Sequence, residues 1–280
     1  MTVLQAMFLG LIQGLTEFLP VSSSGHLSIF QNLFGLTAAE NDNLLFDVLL
    51  HLGTLVSVCV VYWQDIRGIA ADCGSFVHAI GHPVPGGGQR RYPGVRLLLM
   101  IIVATLPLVI ILPIKDYIER LYYSTLFIGI ALVLTGAMLY VSDRMERGRK
   151  TAKTMGLWDA LLVGVCQAIA TVPGLSRSGT TITAGISTGL QRQFAVKFSF
   201  LISIPAVLGA NLLTLIKAFR EGIDWAQVPA CLVGMLVSAV VGYFALLLMR
   251  YLAHKGKFGW FCYYCAAMGL LTIILTIVRS

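Results

Sequence analysis

The chain has 280 residues, of which 57% are hydrophobic and only 12% charged, with a mean hydropathy of +0.83. Soluble domains carry about 25% charged residues, so the composition excludes an ordinary water-soluble domain and points to a polytopic membrane protein. The net charge of +7 would suggest nucleic acid or an acidic partner in a soluble chain; here it is read through the placement of the charges in loops, and no nucleic-acid partner is expected.

The N-terminus, "MTVLQAMFLG", lacks a basic leader and a small-residue cleavage site, so insertion is expected to use internal apolar segments. The first of these, at about 3–21, runs into Pro20 and then "VSSSGH". Proline removes an N–H and restricts the residue before it, so a helix should end there. Full spans follow at about 44–63, 95–114 and 124–142. A second short apolar segment, 156–172, runs into "VPGLSRSGTT", and full spans resume at 196–217, 228–250 and 258–278. About 20 apolar residues are enough to cross ~30 Å of hydrocarbon. Broken backbone at that depth is tolerated only where protein or a water-filled cavity covers it. The expected fold is therefore all-α: six transmembrane helices plus two re-entrant helical hairpins, in a single integral-membrane domain covering 1–280.

Basic residues set the expected topology. Segment 64–96 holds four Lys or Arg, 143–153 holds five and 250–257 holds three, twelve of the chain's twenty. Placing these in the cytoplasm leaves both termini outside. Within the first, "GHPVPGGGQRRYPG" reads as a flexible cytoplasmic connector. The six cysteines, including the C-x-x-C of "FCYYC", lie mostly in apolar stretches and read as small packing residues.

A repeat is visible at one offset. "SSSGH" at 22–26 aligns with "SRSGT" at 176–180, Gln13 with Gln167 and Phe46 with Phe200, each 154 residues apart. With three spans per half, the halves, about 1–142 and 156–280, should be inverted in the membrane. Inverted repeats whose broken helices meet near the midplane build a buried polar site.

The chemistry of that site can be read from its residue types. Gln13 and Glu17 share a helix face, and a carboxylate in apolar surroundings needs a partner, water or a metal. Ser22, Ser23, Ser24 and Gly25 form a turn that can offer hydroxyls and backbone N–H groups to an anion. His26 adds an imidazole able to move a proton. In the second turn Arg177 sits between Ser176 and Ser178, with Thr181 beyond. An intramembrane guanidinium favours phosphate or carboxylate. Together these are the parts of a phosphoryl-transfer site. Glu17 could also hold Mg²⁺ or Ca²⁺, which prefer oxygen. A phosphate carried on a lipid would explain why such a site lies in a bilayer. Asp47 and His51, four apart in the first span, are candidates for a supporting pair or a structural one. His78 and His82 lack acidic partners and suggest no metal site.

The two motifs, "QGLTEFLPVSSSGH" and "PGLSRSGTT", resemble the signatures of the bacterial undecaprenyl-diphosphatase (bacitracin-resistance) family, written E/Q-x-x-x-E and P-G-x-S-R-S-x-x-T. "FDVLLHLGT" at 46–54 fits as well, so the resemblance covers nearly the whole chain. It implies hydrolysis of undecaprenyl diphosphate on the outer face of the bacterial cytoplasmic (inner) membrane, recycling the carrier lipid for cell-wall polymers. It implies that Ser23 attacks the terminal phosphorus, that Arg177 neutralises its charge and that Glu17 binds metal or assists proton transfer. His26, Ser22, Ser176 and Thr181 would surround them, with Gln13, Ser24, Gly25 and Ser178 as further substrate-binding positions. The partner it implies is a polyprenyl diphosphate lipid; a homodimer is compatible with these residues but not required by them. Many members carry Glu where this chain has Gln13, which puts a two-carboxylate metal site in doubt. The acid-phosphatase-like lipid phosphatases are excluded, because no Lys-Pro or Arg-Pro occurs and position 183 is Thr. The rival reading is a transporter of a phosphorylated lipid or other anion, which would need Arg177 but not the Ser23 hydroxyl.

Overall fold

The computed structural model describes residues 1–34, 44–81, 92–122, 124–255 and 258–279. The helices are α1 Val3–Phe18, α2 Ser23–Leu33, α3 Leu44–Val61, α4 Trp63–Gly81, α5 Pro93–Thr105, α6 Lys115–Leu121, α7 Thr125–Arg144, α8 Leu157–Ile169, α9 Arg177–Ser187, α10 Arg192–Glu221, α11 Val228–Lys255 and α12 Trp260–Arg279. A 3₁₀ stretch, Leu106–Ile114, continues α5 and contains Pro107 and Pro113, which cannot donate to an α-helical ladder. Among the described residues there is no strand.

Six stretches are long and apolar enough to cross a membrane: Leu44–Val61, Pro93–Ile114, Thr125–Arg144, Arg192–Arg220, Val228–Lys255 and Trp260–Val278. Each coincides with one span expected from the sequence. Their outer faces are greasy: Leu236, Val240 and Phe244, four residues apart on α11, are all exposed. Water would not tolerate so much bare apolar surface, and lipid covers it; the chain is a multi-pass membrane protein. By contrast α1 and α8 have 16 and 13 residues, or about 24 and 20 Å at 1.5 Å per residue, short of a full crossing. Each is followed by a turn and a second short helix, α2 and α9.

The segment expected as a connector at 64–96 is different. Its first part is the helix α4, with Ile66 and Ile69 packed against the main core. The helix is tied down by Asp72, whose Oδ2 accepts the Gly94 N–H at 2.6 Å, and by Lys197, which donates to Asp65 at 2.6 Å. Its apolar residues Ile66, Ile69, Cys73 and Val77 recur at helical spacing, but Asp65, Arg67, Asp72 and the glycines keep it too polar to read as a span. Residues 82–91 of the expected connector, His82 among them, lie outside the described residues, and its last residues open α5. Residues 115–121, between the expected spans 95–114 and 124–142, form α6.

Packing follows small residues. α1 lies along α11, α8 along α5 and its 3₁₀ continuation, α3 against α10 and α11, and α7 along α12. A Cβ on Gly14 of α1 would lie 2.7 Å from the Ser238 carbonyl oxygen and 2.9 Å from the Gly242 nitrogen of α11. A Cβ on Gly164 of α8 would meet the backbone of Ala104 in α5. Lipid is as apolar as a side chain, so helices here gain from close backbone approach rather than from hydrophobic burial. Gly14 is one helical turn from Glu17, so the same contact fixes where that carboxylate sits.

Gly14→Leu should therefore destabilise the protein by at least the ~1–3 kcal/mol typical of overpacking. Gly68→Ala, where an added Cβ meets nothing within 4 Å, should be neutral or stabilising by ~0.5–1 kcal/mol. Thermal unfolding of both variants in the same detergent checks the contrast.

Candidate active site

The site is built from two turns that follow the same local pattern. α1 ends at Phe18, capped by Leu19 in extended conformation, ahead of Pro20. α2 begins at Ser23, directly after Ser22, which has φ +68°. α8 gives way to Pro173 and Gly174, the latter with φ +87°, where a side chain would be strained. α9 then starts at Arg177 behind its N-cap Ser176. Ser176 Oγ accepts the Gly179 N–H at 3.1 Å, as Ser22 Oγ accepts the Gly25 N–H at 3.4 Å. The hydroxyls of Ser176 and Ser178 are 3.2 Å apart, and those of Ser22 and Ser24 are 3.4 Å apart. Serine caps are favoured because the hydroxyl satisfies an otherwise orphaned helix N–H.

The two turns abut. A Cβ on Gly25 would lie 3.7 Å from Gly174 Cα, and one on Gly179 would lie 3.2 Å from Pro20 Cβ. Ser178 Oγ donates to the Leu19 carbonyl at 3.3 Å. Thr135 of α7 braces the second turn, donating to the Gly174 carbonyl at 3.3 Å and accepting the Ser176 N–H at 3.1 Å. The N-termini of α2 and α9, the ends that favour anions, thus meet at one place.

Glu17 is the centre of that place. It is buried, and Arg177 pairs with its Oε1 across 160 residues of sequence. Its Oε2 accepts the Ser23 hydroxyl at 2.7 Å and the Gln13 amide at 3.0 Å. Gln13, Glu17, Ser23 and Arg177 are thus brought together. His51 Nε2 lies 4.0 Å from Glu17 Oε2, while its Nδ1 donates to the Asp47 carbonyl at 2.8 Å. Asp47 itself accepts from Gln31 at 3.0 Å. His51 therefore reaches the site, while the Asp47 backbone carbonyl holds the His51 ring and its carboxylate holds Gln31.

Other expected site residues sit one layer away. Thr181 donates to the Arg177 carbonyl at 2.8 Å and pairs with Ser199 of α10 at 2.6 Å, so it fixes α9 rather than facing Glu17. Ser22, Ser24, Gly25, Ser176 and Ser178 shape the turns, as the bonds above show. His26 is buried with its nitrogens against the Ser22 carbonyl at 2.8 Å and the Tyr264 hydroxyl at 2.7 Å. Tyr264 was not singled out from sequence. It lies in "FCYYC", and nothing local marks its partner 238 residues away. All six cysteines are unpaired thiols, as packing residues would be.

A multi-pass membrane protein with a carboxylate, a serine hydroxyl and an arginine gathered at two helix N-termini belongs to the class built for phosphoryl chemistry. Comparison with known proteins gives the family. The chain matches the family described as "Bacitracin resistance protein BacA" over residues 6–271. It is 40% identical over 276 residues to the undecaprenyl-diphosphatase of Desulforapulum autotrophicum, covering 98% of each chain. It is 41% identical over 281 residues to that of Alkaliphilus metalliredigens, covering 99% of this chain and all of the relative, and 40% identical over 282 residues to that of Methanosphaera stadtmanae. The chain belongs to the BacA family.

The Glu17–Arg177 pair yields a stability prediction. Arg177→Ala leaves a buried carboxylate without its counter-charge and should cost ~3 kcal/mol, the low end for a broken buried pair. Adding Glu17→Gln removes the orphaned charge and should restore most of that loss. Denaturation of the single and double variants, with Glu17→Gln alone as reference, measures the coupling.

Proposed function

We propose that this chain is an undecaprenyl-diphosphatase acting through Ser23. It hydrolyses undecaprenyl diphosphate to undecaprenyl phosphate and inorganic phosphate, which recycles the carrier lipid for peptidoglycan and other cell-wall polymers and confers bacitracin resistance. The observation that carries the mechanism is the convergence on Glu17 of the Ser23 hydroxyl and the Arg177 guanidinium.

Glu17 Oε2 already accepts the Ser23 hydroxyl, so it is placed to take that proton as general base. Ser23 Oγ then bonds to the terminal phosphorus. The bond from that phosphorus to the bridging oxygen breaks, and its electron pair leaves with the lipid phosphate, which takes the proton from Glu17. In the second half, Glu17 takes a proton from water as the water oxygen bonds to phosphorus. The bond to Ser23 Oγ breaks, and Glu17 returns the proton to Oγ. Arg177, a planar fork of N–H donors, and the N–H groups of α2 and α9 hold the phosphate oxygens throughout.

Glu17 also suits a hard divalent cation, Mg²⁺ or Ca²⁺. The second protein oxygen would be Oε1 of Gln13, which is buried with no hydrogen-bond partner. Among the described residues no three His, Cys, Asp or Glu side chains cluster as metal ligands, so the diphosphate itself would supply the remaining donors. Bound there, the ion would neutralise diphosphate charge.

The halves 1–142 and 156–280 are read as an inverted repeat whose hairpins α1–α2 and α8–α9 are re-entrant. Support comes from the matching Ser22 and Ser176 caps, from the reciprocal contacts of Gly25 with Gly174 and of Gly179 with Pro20, and from the shortness of α1 and α8. The site is assigned to the periplasmic side of the bacterial inner membrane. The support is the distribution of basic residues between the loops.

Phosphate release from undecaprenyl diphosphate by the purified protein is the test. Wild type should release phosphate, and both Ser23→Ala and Arg177→Ala should lose ~10³-fold or more, the scale of a lost phosphate-stabilising arginine. Near-normal release by Ser23→Ala would remove it as nucleophile. Binding without release by wild type would favour transport.

A further inference from the structure

Both ring nitrogens of His26 are engaged by groups other than Glu17, Ser23 and Arg177. The Ser22 carbonyl, 2.8 Å from Nδ1, can only accept, so Nδ1 carries a proton and donates it. In the neutral ring Nε2 is then the acceptor, and the Tyr264 hydroxyl donates to it at 2.7 Å. The two rings are nearly parallel, at 10° with centroids 5.6 Å apart. This links α12 to the start of α2 by one chain of bonds: Tyr264 O–H to His26 to the Ser22 carbonyl.

The end of that chain is the strained point of the structure. Ser22 is the only residue other than glycine with positive φ among those described. A serine stays in that conformation only where its surroundings over-determine it, and such residues gather at functional sites. Here the Ser22 carbonyl is held twice by residue 26, through Nδ1 and through the His26 backbone N–H at 3.3 Å. Its hydroxyl is held by the Gly25 N–H. The next residue is Ser23, whose hydroxyl meets Glu17 at 2.7 Å. The backbone of Ser22 therefore sets the direction of the Ser23 side chain.

We propose that Tyr264 is a positioning residue for the reaction. It orients His26, which clamps the left-handed Ser22 turn and thereby aims Ser23 Oγ, and His26 acts as this clamp through Nδ1 rather than as the proton carrier. The inference rests on the reading of Ser23 as nucleophile. A misplacement of about 1 Å can cost far more rate than binding, so the effect should appear in kcat and not in KM.

The experiment compares kcat and KM on undecaprenyl diphosphate for wild type, Ser23→Ala, Tyr264→Phe, His26→Asn and the double variant His26→Asn/Tyr264→Phe. Tyr264→Phe keeps the ring and loses only the hydroxyl; kcat should fall about five- to tenfold, what one hydrogen bond supplies, with KM and melting temperature unchanged. Asparagine presents an N–H near the position of Nδ1 and nothing near Nε2. His26→Asn should therefore keep measurable turnover, about tenfold below wild type, and adding Tyr264→Phe should cost nothing more, because the partner is already gone. Three results would overturn the proposal: unchanged kcat in Tyr264→Phe, a raised KM with normal kcat in that variant, or losses that multiply in the double variant. His26→Asn that folds normally but is as inactive as Ser23→Ala would give the ring the proton instead. If Ser23→Ala itself turns over normally, the nucleophile reading fails and not merely the role of Tyr264. Should His26→Asn not fold, the kcat and KM of Tyr264→Phe decide alone.

Discussion

The Glu17–Arg177 ion pair is the constraint around which the rest of this protein is arranged. Each charge alone would be costly in a membrane. Placed against each other they satisfy one another and tie the first half of the chain to the second. That requirement explains why two apolar helices stop short. Glu17 stands at the end of α1 and Arg177 at the start of α9, so their pairing joins the two breaks in the chain. At the first break the Leu19 carbonyl accepts from Ser178 of the other turn, and at the second Thr135 satisfies the Gly174 carbonyl and the Ser176 N–H, as buried backbone must be.

The same arrangement prepares the site for an anion. The Glu17 carboxylate lies beside two helix N-termini and an arginine, the environment a phosphate group prefers. It also accepts the hydroxyl of Ser23, the proposed nucleophile. One side chain thus holds the fold's central ion pair and, in the proposed mechanism, serves as the base. The small-residue packing of α1 on α11 matters for the same reason, since it sets the position of Glu17 by backbone contact rather than through a flexible side chain.

Much of this was legible in the sequence because it is local. The six spans follow from apolar length, and the breaks follow from Pro20 and Pro173. Gln13, Glu17, Ser23 and Arg177 stand in two short motifs whose chemistry is readable from residue types. What was not legible depends on distance or on backbone conformation. Tyr264 reaches His26 only because α12 packs along α7 beside α2, and its sequence context is an ordinary apolar helix. His51 meets Glu17 through the packing of α3 near α1. The left-handed Ser22 could not be anticipated, since serine gives no local signal for positive φ as glycine does. The helix α4 was not legible as a span because it is amphipathic, with Asp65, Arg67 and Asp72 beside its apolar stripe.

The most direct test of the account is whether a phosphoryl group passes through Ser23. Wild-type protein mixed with undecaprenyl diphosphate and quenched in acid within the first turnover would be digested and examined by mass spectrometry. The account predicts phosphoserine at position 23, formed as fast as lipid monophosphate appears and absent after turnover is complete. Lipid monophosphate appearing with Ser23 unmodified at every quench time would mean that water attacks directly, and would contradict it.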